Sequence, residues 1–165
     1  MRRYAGICVP SIFILLLLVS CKTSPEFRQF STNDGIMFFI PPTDWKTDAS
    51  DTARLDITYQ TGNEIPVTVN ITFFGKKTTP RMVTYVTLSG AGLEYPLTNF
   101  RALYADSKKR ELRITTEGNR DTLIALLEAE TITLTAEIDG ARYTYTPNTY
   151  FLNMKNDFLT VISYN

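Results

Sequence analysis

An alternation of apolar residues with polar ones over residues 131–138 is the sequence feature that most limits what this chain can fold into. The apolar members of this run are Ile132, Leu134, Ala136 and Ile138. Asp139-Gly140 separates the run from residues 141–146, in which Tyr143 and Tyr145 lie two positions apart. Period-two alternation is typical of a half-buried strand, and Asp-Gly favours a two-residue hairpin turn because Gly accepts a positive φ. We expect an antiparallel hairpin with its apolar residues toward the core and its threonines outward.

Runs of β-branched and aromatic residues continue this strand pattern through most of the chain after residue 26. The further predicted strands cover residues 27–30, 36–40, 55–59, 67–74, 83–88, 100–104 and 112–116. Asp34-Gly35 predicts a hairpin between the first two. Pro41-Pro42 is expected to end the second, because proline cannot donate to a strand ladder.

Two segments toward the C-terminus have helical spacing instead. Asp121-Thr122 precede apolar residues at positions 123, 124, 126 and 127, which predicts a short capped helix. Residues 150–162 repeat apolar side chains at spacings of three and four and predict a second helix, with a final strand over residues 159–164 as the alternative. The sequence thus predicts a single α+β domain over residues 27–165. It is mainly antiparallel β-sheet, folded as a sandwich, with one or two short helices near the C-terminus.

The composition removes several classes of function. The chain has no histidine, which is the commonest general base and zinc ligand. After residue 20 it carries 15 basic and 17 acidic side chains, because Arg2 and Arg3 precede that point, so no basic field is available for nucleic acid. We predict no catalytic residue, no cofactor, no metal site and no nucleic-acid partner.

The first 21 residues have the organisation of an export signal. Arg2 and Arg3 precede an apolar run over residues 12–19, and the small residue Ser20 stands directly before Cys21. The tetrapeptide Leu18-Val19-Ser20-Cys21 resembles the lipobox of bacterial lipoproteins. This resemblance implies that residues 1–20 form a signal peptide that is removed, and that Cys21 is lipidated.

A plain secretory signal and a single transmembrane helix are the alternatives for this segment. The apolar stretch over residues 7–19 contains Pro10 and is shorter than the roughly 20 residues that a spanning helix needs. In a lipoprotein Cys8 leaves with the signal peptide, so neither a disulfide nor a free thiol remains. Residues 21–26 then form the lipidated cysteine and a short tether, and the lipid bilayer is a partner through acylated Cys21. Lys22 stands where many inner-membrane lipoproteins have Asp, which favours the outer membrane of the cell envelope.

Acidic residues suggest two further candidate sites. One acidic cluster surrounds a tryptophan and consists of Asp44, Asp48 and Asp51 with Trp45. Its spacing lacks the regular pattern of a calcium loop, so we expect a solvated acidic loop. Asp44 with Asp56, or Glu128 with Glu130, could form the carboxylate pair that glycoside hydrolysis requires. Chance pairing is the alternative, since the chain has 17 acidic residues.

Two polar stretches are predicted to be turns. Ser89-Gly90-Ala91-Gly92 follows a predicted strand and lacks the Lys-Ser/Thr of a phosphate-binding P-loop. Lys108-Lys109-Arg110 lies between Asp106 and Glu111 and is expected at a solvated hairpin tip. Its alternative role is attraction to anionic lipid head groups, at about 1 kcal/mol per charge near the surface.

Aromatic side chains are the main candidates for recognition in a chain without histidine. They stack on sugars and anchor protein partners, although most of them are expected in the sandwich core. We predict that Trp45, Arg142 and Tyr150 are exposed and take part in partner binding.

Two local patterns resemble known envelope domains. The order helix, strand, Asp-Gly turn, strand and helix from Asn119 onward resembles the C-terminal part of small bacterial envelope proteins of the invasion-associated locus B type. Asp34-Gly35-Ile36 through Pro42-x-x-Trp45 resembles the opening strand of Mog1/PsbP-like domains. Both resemblances imply a small secreted α+β domain, and neither assigns an active-site residue.

These observations favour a membrane-anchored envelope lipoprotein that acts as a non-enzymatic binding, adhesion or envelope-assembly module with a protein or glycan partner. Two other classes stay open. A carboxylate-based hydrolase of an envelope glycan requires two acids in a cleft. A carrier of a small apolar ligand requires a long cavity between the layers, whereas a binding module is indicated by an exposed aromatic patch.

Overall fold

The computed structural model describes residues 27–62 and 67–164, without the side chain of Tyr164. The predictions for residues 1–26, which include the signal peptide, Cys21 and the tether, lie outside the described residues. Within the described part of the chain, no helix has the length and apolar character that crossing a bilayer requires.

Antiparallel strands make up most of the described structure, and two helices lie in its C-terminal third. The strands are β1 (Arg28–Thr32), β2 (Gly35–Lys46), β3 (Thr52–Gln60), β4 (Val67–Phe74), β5 (Val83–Gly90), β6 (Leu93–Pro96), β7 (Arg101–Asp106), β8 (Glu111–Gly118), β9 (Ile132–Ile138) and β10 (Ala141–Pro147). The helices are α1 (Arg120–Glu128) and α2 (Thr149–Tyr164). The predicted α+β class, mainly antiparallel sheet, is confirmed.

The β9–β10 hairpin has the register that its sequence predicts. Ala141 pairs with Ile138 across a two-residue turn, in which Asp139 and Gly140 have φ values of 51° and 80°. Residues 132, 134, 136 and 138 are buried, whereas residues 131, 133 and 137 are more exposed. Thr135 is the exception, since it is buried on the threonine face. The hairpin prediction is therefore confirmed.

The sheet folds back on itself into two layers. Its strand order is β6-β5-β9-β10-β2-β3-β4-β8-β7, and β1 pairs with the first part of β2. Strand β10 joins the layers, because its first part pairs with β9 and its last two residues pair with the end of β2. β4 and β10 are not neighbours in this order, yet the rings of Phe73 and Tyr145 lie 6.1 Å apart. The layers thus face each other, as in a sandwich.

Apolar side chains from both layers and both helices form one continuous core. The largest fully buried members are Trp45, Phe38, Phe73, Phe151 and Phe158. Helix α1 begins at an Asn119 cap, whose side chain accepts from the Thr122 amide at 2.8 Å. It buries Leu123, Leu126 and Leu127. The two helices pack on each other, and α2 also packs against β2, where the rings of Phe151 and Trp45 lie 4.9 Å apart.

The prediction that Pro41-Pro42 ends the second strand is wrong. Strand β2 runs from Gly35 to Lys46 through both prolines. Its pairing with β3 skips them, with an irregular register between Ile40 and Thr43. On its other edge β2 pairs with β1 up to Phe39 and with β10 only from residue 45. Neither neighbouring strand needs an N–H donor from the prolines, so the strand tolerates them.

The structure also adds one short strand and decides between the two alternatives for the C-terminal segment. The short strand β6 was not predicted; it has only four residues and includes Pro96 at the sheet edge. The alternative of a final strand over residues 159–164 is wrong, because α2 continues to Tyr164. This helix buries Phe151, Met154, Phe158 and Ile162, the residues whose spacing predicts it.

Candidate functional site

An open cleft of about 460 Å³ lies between the two layers, at the end of the sandwich where β4 ends and β10 begins. Its charged and tyrosine lining residues are Asp51, Lys76, Lys77, Asp139, Tyr143 and Tyr145. Asp51 directly precedes β3, the two lysines belong to the β4–β5 loop, and the other three come from the β9–β10 hairpin. The cleft is therefore built from strand ends of both layers and one long loop.

The β4–β5 loop, residues 75–82, forms one wall of the cleft and is held at both ends. Asp139 Oδ1 accepts hydrogen bonds from the amides of Arg81 and Met82 at 3.1 and 3.0 Å. At the other end, the Gly75 amide donates to the carbonyl oxygen of Arg110 at 2.8 Å. The wall is thus fixed by the β9–β10 turn on one side and by the β7–β8 turn on the other.

Tyr143 and Tyr145 form the aromatic floor of the cleft. Their rings are stacked with centroids 6.2 Å apart, and they lie opposite Ala136 and Leu134 of β9. The pKa of Tyr145 is raised well above its usual value of 10.0. The largest cause is burial, followed by the negative charge of Asp51 and then by Tyr143. The Tyr145 hydroxyl is therefore protonated at neutral pH and can donate a hydrogen bond.

The Tyr145 hydroxyl makes no hydrogen bond to any described residue, although only 2% of Tyr145 is exposed. Among described residues, the fully buried side-chain atoms without a partner are Thr87 Oγ1 and Arg120 Nε. The Tyr145 oxygen is not one of them, so it keeps some accessible surface, and Tyr145 lines the cleft. Buried polar groups are normally paired, and convergent polar groups at the base of a cleft are typical of ligand sites.

An ion pair between Asp51 and Lys76 lies at the rim of the cleft. Asp51 Oδ1 is 3.1 Å from Lys76 Nζ, which also donates to the carbonyl oxygen of Ala49 at 2.8 Å. The Asp51 amide donates to Thr47 Oγ1 at 3.0 Å and so orders the β2–β3 turn. A carboxylate offers about four acceptor positions. Asp51 therefore keeps acceptor capacity for a ligand beside Tyr145.

The three predicted partner-binding residues do not all lie at the surface. Trp45 is 0% exposed, and its Nε1 donates to Thr43 Oγ1 at 3.2 Å inside the core. The prediction that Trp45 is a surface residue is wrong, because its position on β2 faces the two helices. Arg142 is exposed and lies 5.3 Å above the ring of Tyr85. Tyr150 is half-buried in the first turn of α2, eight residues after Arg142.

The predicted carboxylate pairs do not line the cleft. Asp44 is bound to Arg54 at 2.8 Å, and Asp56 is bound to Arg113 at 2.6 Å, so each is neutralised by a guanidinium. Glu128 and Glu130 are exposed at the end of α1. The two acids of the cleft itself are Asp51 and Asp139.

The three acidic residues of the predicted acidic loop have different surroundings in the structure. Asp44 and Asp51 are ion-paired as described above, and Asp48 is exposed. Within residues 27–62 and 67–164, no group of three or more Cys, Asp or Glu side chains is arranged to hold a metal ion.

The core contains a small apolar cavity of about 10 Å³ between the sheet and the helices. Its walls include Trp45, Leu55, Leu126 and Phe151. A cavity needs roughly 10–15 Å³ of such space to hold even one water molecule. This cavity therefore has no room for the apolar ligand that a carrier would hold.

The second predicted turn is confirmed, and the first is confirmed for its last two residues only, because Ser89 and Gly90 belong to β5. The loop after β5 turns at residues 91–92, and Ala91 and Gly92 have positive φ values there. Residues 107–110 form the turn of the β7–β8 hairpin, with Lys108-Lys109-Arg110 exposed at its tip.

The alternation predicts Tyr143 and Tyr145 on one strand face, but no local sequence pattern predicts the cleft. Lys76 and Lys77 lie more than 60 residues from that strand, and Asp51 lies farther still. The Lys-Lys pair followed by Pro80 was a detectable sign of a long polar loop, but nothing in the local pattern predicts what the loop contacts.

Comparisons with known proteins found no match to a family model, to a curated protein or to a solved structure.

Proposed function

We propose that this chain is a membrane-anchored lipoprotein of the bacterial envelope whose domain binds a hydroxyl-rich ligand, such as a glycan segment, in the cleft of Asp51, Tyr143 and Tyr145. One observation carries the proposal: Tyr145 lines the cleft, and its hydroxyl has no hydrogen-bond partner among the described residues. A ligand hydroxyl would supply that partner.

The size and lining of the cleft support a small ligand. Its volume of about 460 Å³ falls in the range of roughly 300–1,000 Å³ that is typical of small-molecule sites. Tyr143 and Tyr145 offer ring surfaces for the apolar faces of sugars. Asp51 supplies an acceptor and Tyr145 a donor, the two functions that a sugar hydroxyl uses together.

The interactions that the two acidic side chains of the cleft already make favour ligand binding over catalysis. Asp51 is ion-paired with Lys76, and Asp139 accepts two backbone amides of the β4–β5 loop. Both carboxylates are thus engaged in holding the cleft walls. We propose a non-enzymatic role, and turnover of the bound glycan is the outcome that would contradict it.

The N-terminal sequence supports a position at the membrane. The lipobox resemblance makes Cys21 the proposed anchor, and Lys22 favours the outer membrane. Residues 22–26 span at most roughly 18 Å when extended. Phe27, the first described residue, packs edge to face against Phe158 of α2 with ring centroids 6.3 Å apart. The domain would therefore begin close to the bilayer, so the cleft would meet ligands of the envelope.

The experiment is a titration of the full chain in detergent with two probes, the neutral sugar chitotetraose and soluble peptidoglycan muropeptides. Binding is followed by isothermal calorimetry and by NMR of ¹³C-labelled tyrosine. We expect saturable binding with shifts at Tyr143 and Tyr145. Tyr145→Phe, which removes only the hydroxyl, should weaken binding about tenfold, because it leaves a ligand polar group unpaired.

Tyr59→Phe is the matched control, because Tyr59 is also buried but lies at the opposite end of β3 from Asp51. It should leave binding unchanged. Absence of saturable binding to either probe, or equal losses in the two variants, would overturn the proposal.

A further inference from the structure

Two loops that are distant in sequence meet beside the cleft. The Gly75 amide donates to the carbonyl oxygen of Arg110 at 2.8 Å, and Arg110 Nη1 donates back to the carbonyl oxygen of Lys76 at 2.5 Å. These reciprocal bonds join the β4–β5 loop to the tip of the β7–β8 hairpin. The contact brings together basic residues that the sequence separates by about 30 positions.

The joined loops form a basic ridge next to the tyrosines. We define the basic ridge as Lys76, Lys77, Lys108, Lys109 and Arg110, all of which are exposed. Lys77 also lines the cleft, so the ridge continues into the site of the proposed function. Five cations at one end of the sandwich contrast with a chain whose total charge is zero.

Most acidic side chains near the basic ridge already make an ion pair or a hydrogen bond. Asp51 is paired with Lys76, and Glu111 lies 3.8 Å from Lys109. Asp106 accepts the amides of Lys108 and Lys109, which orders the hairpin turn. The side chains of Lys77 and Lys108 make no ion pair with any described residue. The ammonium groups of Lys77 and Lys108 are therefore the ones available to an anionic ligand.

We propose that the cleft and the basic ridge form one composite site for a phosphorylated polyol, with ligand hydroxyls bound by Tyr145 and Asp51 and the phosphate bound by Lys77 and the ridge. This inference rests on the proposed function and adds the anionic group of the ligand. Phosphate suits a cluster of cations because it presents several strong acceptor oxygens to separate donors.

Two sources in an envelope carry this chemistry. One is a soluble phosphorylated sugar or glycan, and the other is the glycerol phosphate head group of phosphatidylglycerol in the bilayer. Both combine hydroxyls with a phosphate, so both fit the composite site. The arms of the experiment separate them.

The first arm compares glucose 6-phosphate, glucose and inorganic phosphate as ligands of the full chain in phosphatidylcholine nanodiscs. We expect glucose 6-phosphate to bind at least tenfold more tightly than either of the others, because only it engages both parts of the site. Its affinity should fall with added salt while that of glucose stays constant, since screening weakens contacts between exposed charges.

The second arm uses charge variants. Lys108→Gln should lower the affinity for glucose 6-phosphate several-fold with no effect on glucose, and addition of Lys77→Gln should lower the affinity for glucose 6-phosphate further. Arg101→Gln is the matched control, because Arg101 is an exposed cation at the end of β7 away from the hairpin tip. It should change neither affinity.

The third arm identifies the source by adding phosphatidylglycerol to the nanodiscs. A weaker apparent affinity for soluble glucose 6-phosphate would assign the site to the lipid head group, and an unchanged affinity would assign it to a soluble ligand. Equal binding of glucose and glucose 6-phosphate, or equal effects of Lys108→Gln and Arg101→Gln, would overturn the inference. Such a result leaves the proposed function standing if Tyr145→Phe still weakens glycan binding.

Discussion

The Asp56 carboxylate of β3 accepts a hydrogen bond from the Arg113 guanidinium of β8 at 2.6 Å, across the intervening strand β4. Asn70 of β4 donates to the same carboxylate at 2.7 Å, and Arg113 also donates to Thr72 at 2.8 Å. The Asp56 side chain is only 2% exposed. This network ties three strands together on the face of the sheet that lies opposite the core.

Removal of one partner of this pair should be strongly destabilising. Arg113→Ala leaves a buried carboxylate without its cation and should lower the free energy of unfolding by about 3–5 kcal/mol, measured by urea denaturation. Arg54→Ala is the control, because its pair with Asp44 is more than 40% exposed on both sides and should contribute about 1 kcal/mol or less. Equal losses would show that Asp56 is better solvated than its contacts indicate.

Trp45 should behave as a core residue and not as a binding residue. Trp45→Ala removes a fully buried side chain that packs on Phe151, and we expect a loss of about 3–5 kcal/mol in unfolding free energy. Arg142→Ala, an exposed change, should stay within about 0.5 kcal/mol of the wild type. Thermal and urea unfolding measure both. A Trp45→Ala protein of unchanged stability would contradict the core position.

Tyr145 should make the domain less stable in alkali. Its pKa is raised in the folded state, so above pH 10 the unfolded chain releases a proton that the folded protein retains. The stabilising difference is complete below pH 10 and is lost as the pH rises further, at up to about 1.4 kcal/mol per pH unit. Urea denaturation between pH 8 and 11 should therefore show a steeper decline for the wild type than for Tyr145→Phe. Parallel curves would mean that the hydroxyl is well solvated.

Asp139 should control the wall of the cleft. Asp139→Ala removes the acceptor of the Arg81 and Met82 amides and places alanine at a φ of 51°, so we expect a loss of about 1–3 kcal/mol and faster amide exchange across residues 75–82. Asp139→Asn keeps one acceptor oxygen and tolerates the left-handed backbone, so it should lose less. Similar exchange rates in both variants would argue against this role.

Cys21 should determine whether the protein is attached to the membrane. Two or three acyl chains give stable anchoring, whereas one chain is marginal. In a bacterial host, Cys21→Ala should abolish incorporation of labelled palmitate and prevent cleavage before residue 21. Cys8→Ala is the control and should be processed normally. Palmitate labelling that survives Cys21→Ala would show that the lipobox interpretation is wrong.

Much of the fold follows from patterns that are local in sequence. The alternation around Asp139-Gly140 determines a hairpin and its register, because turn geometry and the position of the apolar face agree. The spacing of Phe151, Met154 and Phe158 determines one face of α2. The prediction that Pro41-Pro42 ends the second strand is wrong for a physical reason. A proline ends a strand only where a neighbouring strand needs an N–H donor at that position, and the neighbouring strand comes from elsewhere in the chain.

The sequence by itself determined most of the strands, the β9–β10 turn and both helices, since each depends on residues within a few positions of one another. The export signal over residues 1–20 stays a prediction. Only the tertiary structure decided that the sheet folds over, so that Asp51 and Lys77 line the same cleft as Tyr145 while Arg110 contacts the β4–β5 loop. It likewise decided that Trp45 is buried, because α2 covers the face of β2 on which it lies. Contacts of this kind depend on strand order and layer packing, which arise from the free energy of the whole core and leave no local pattern in the chain.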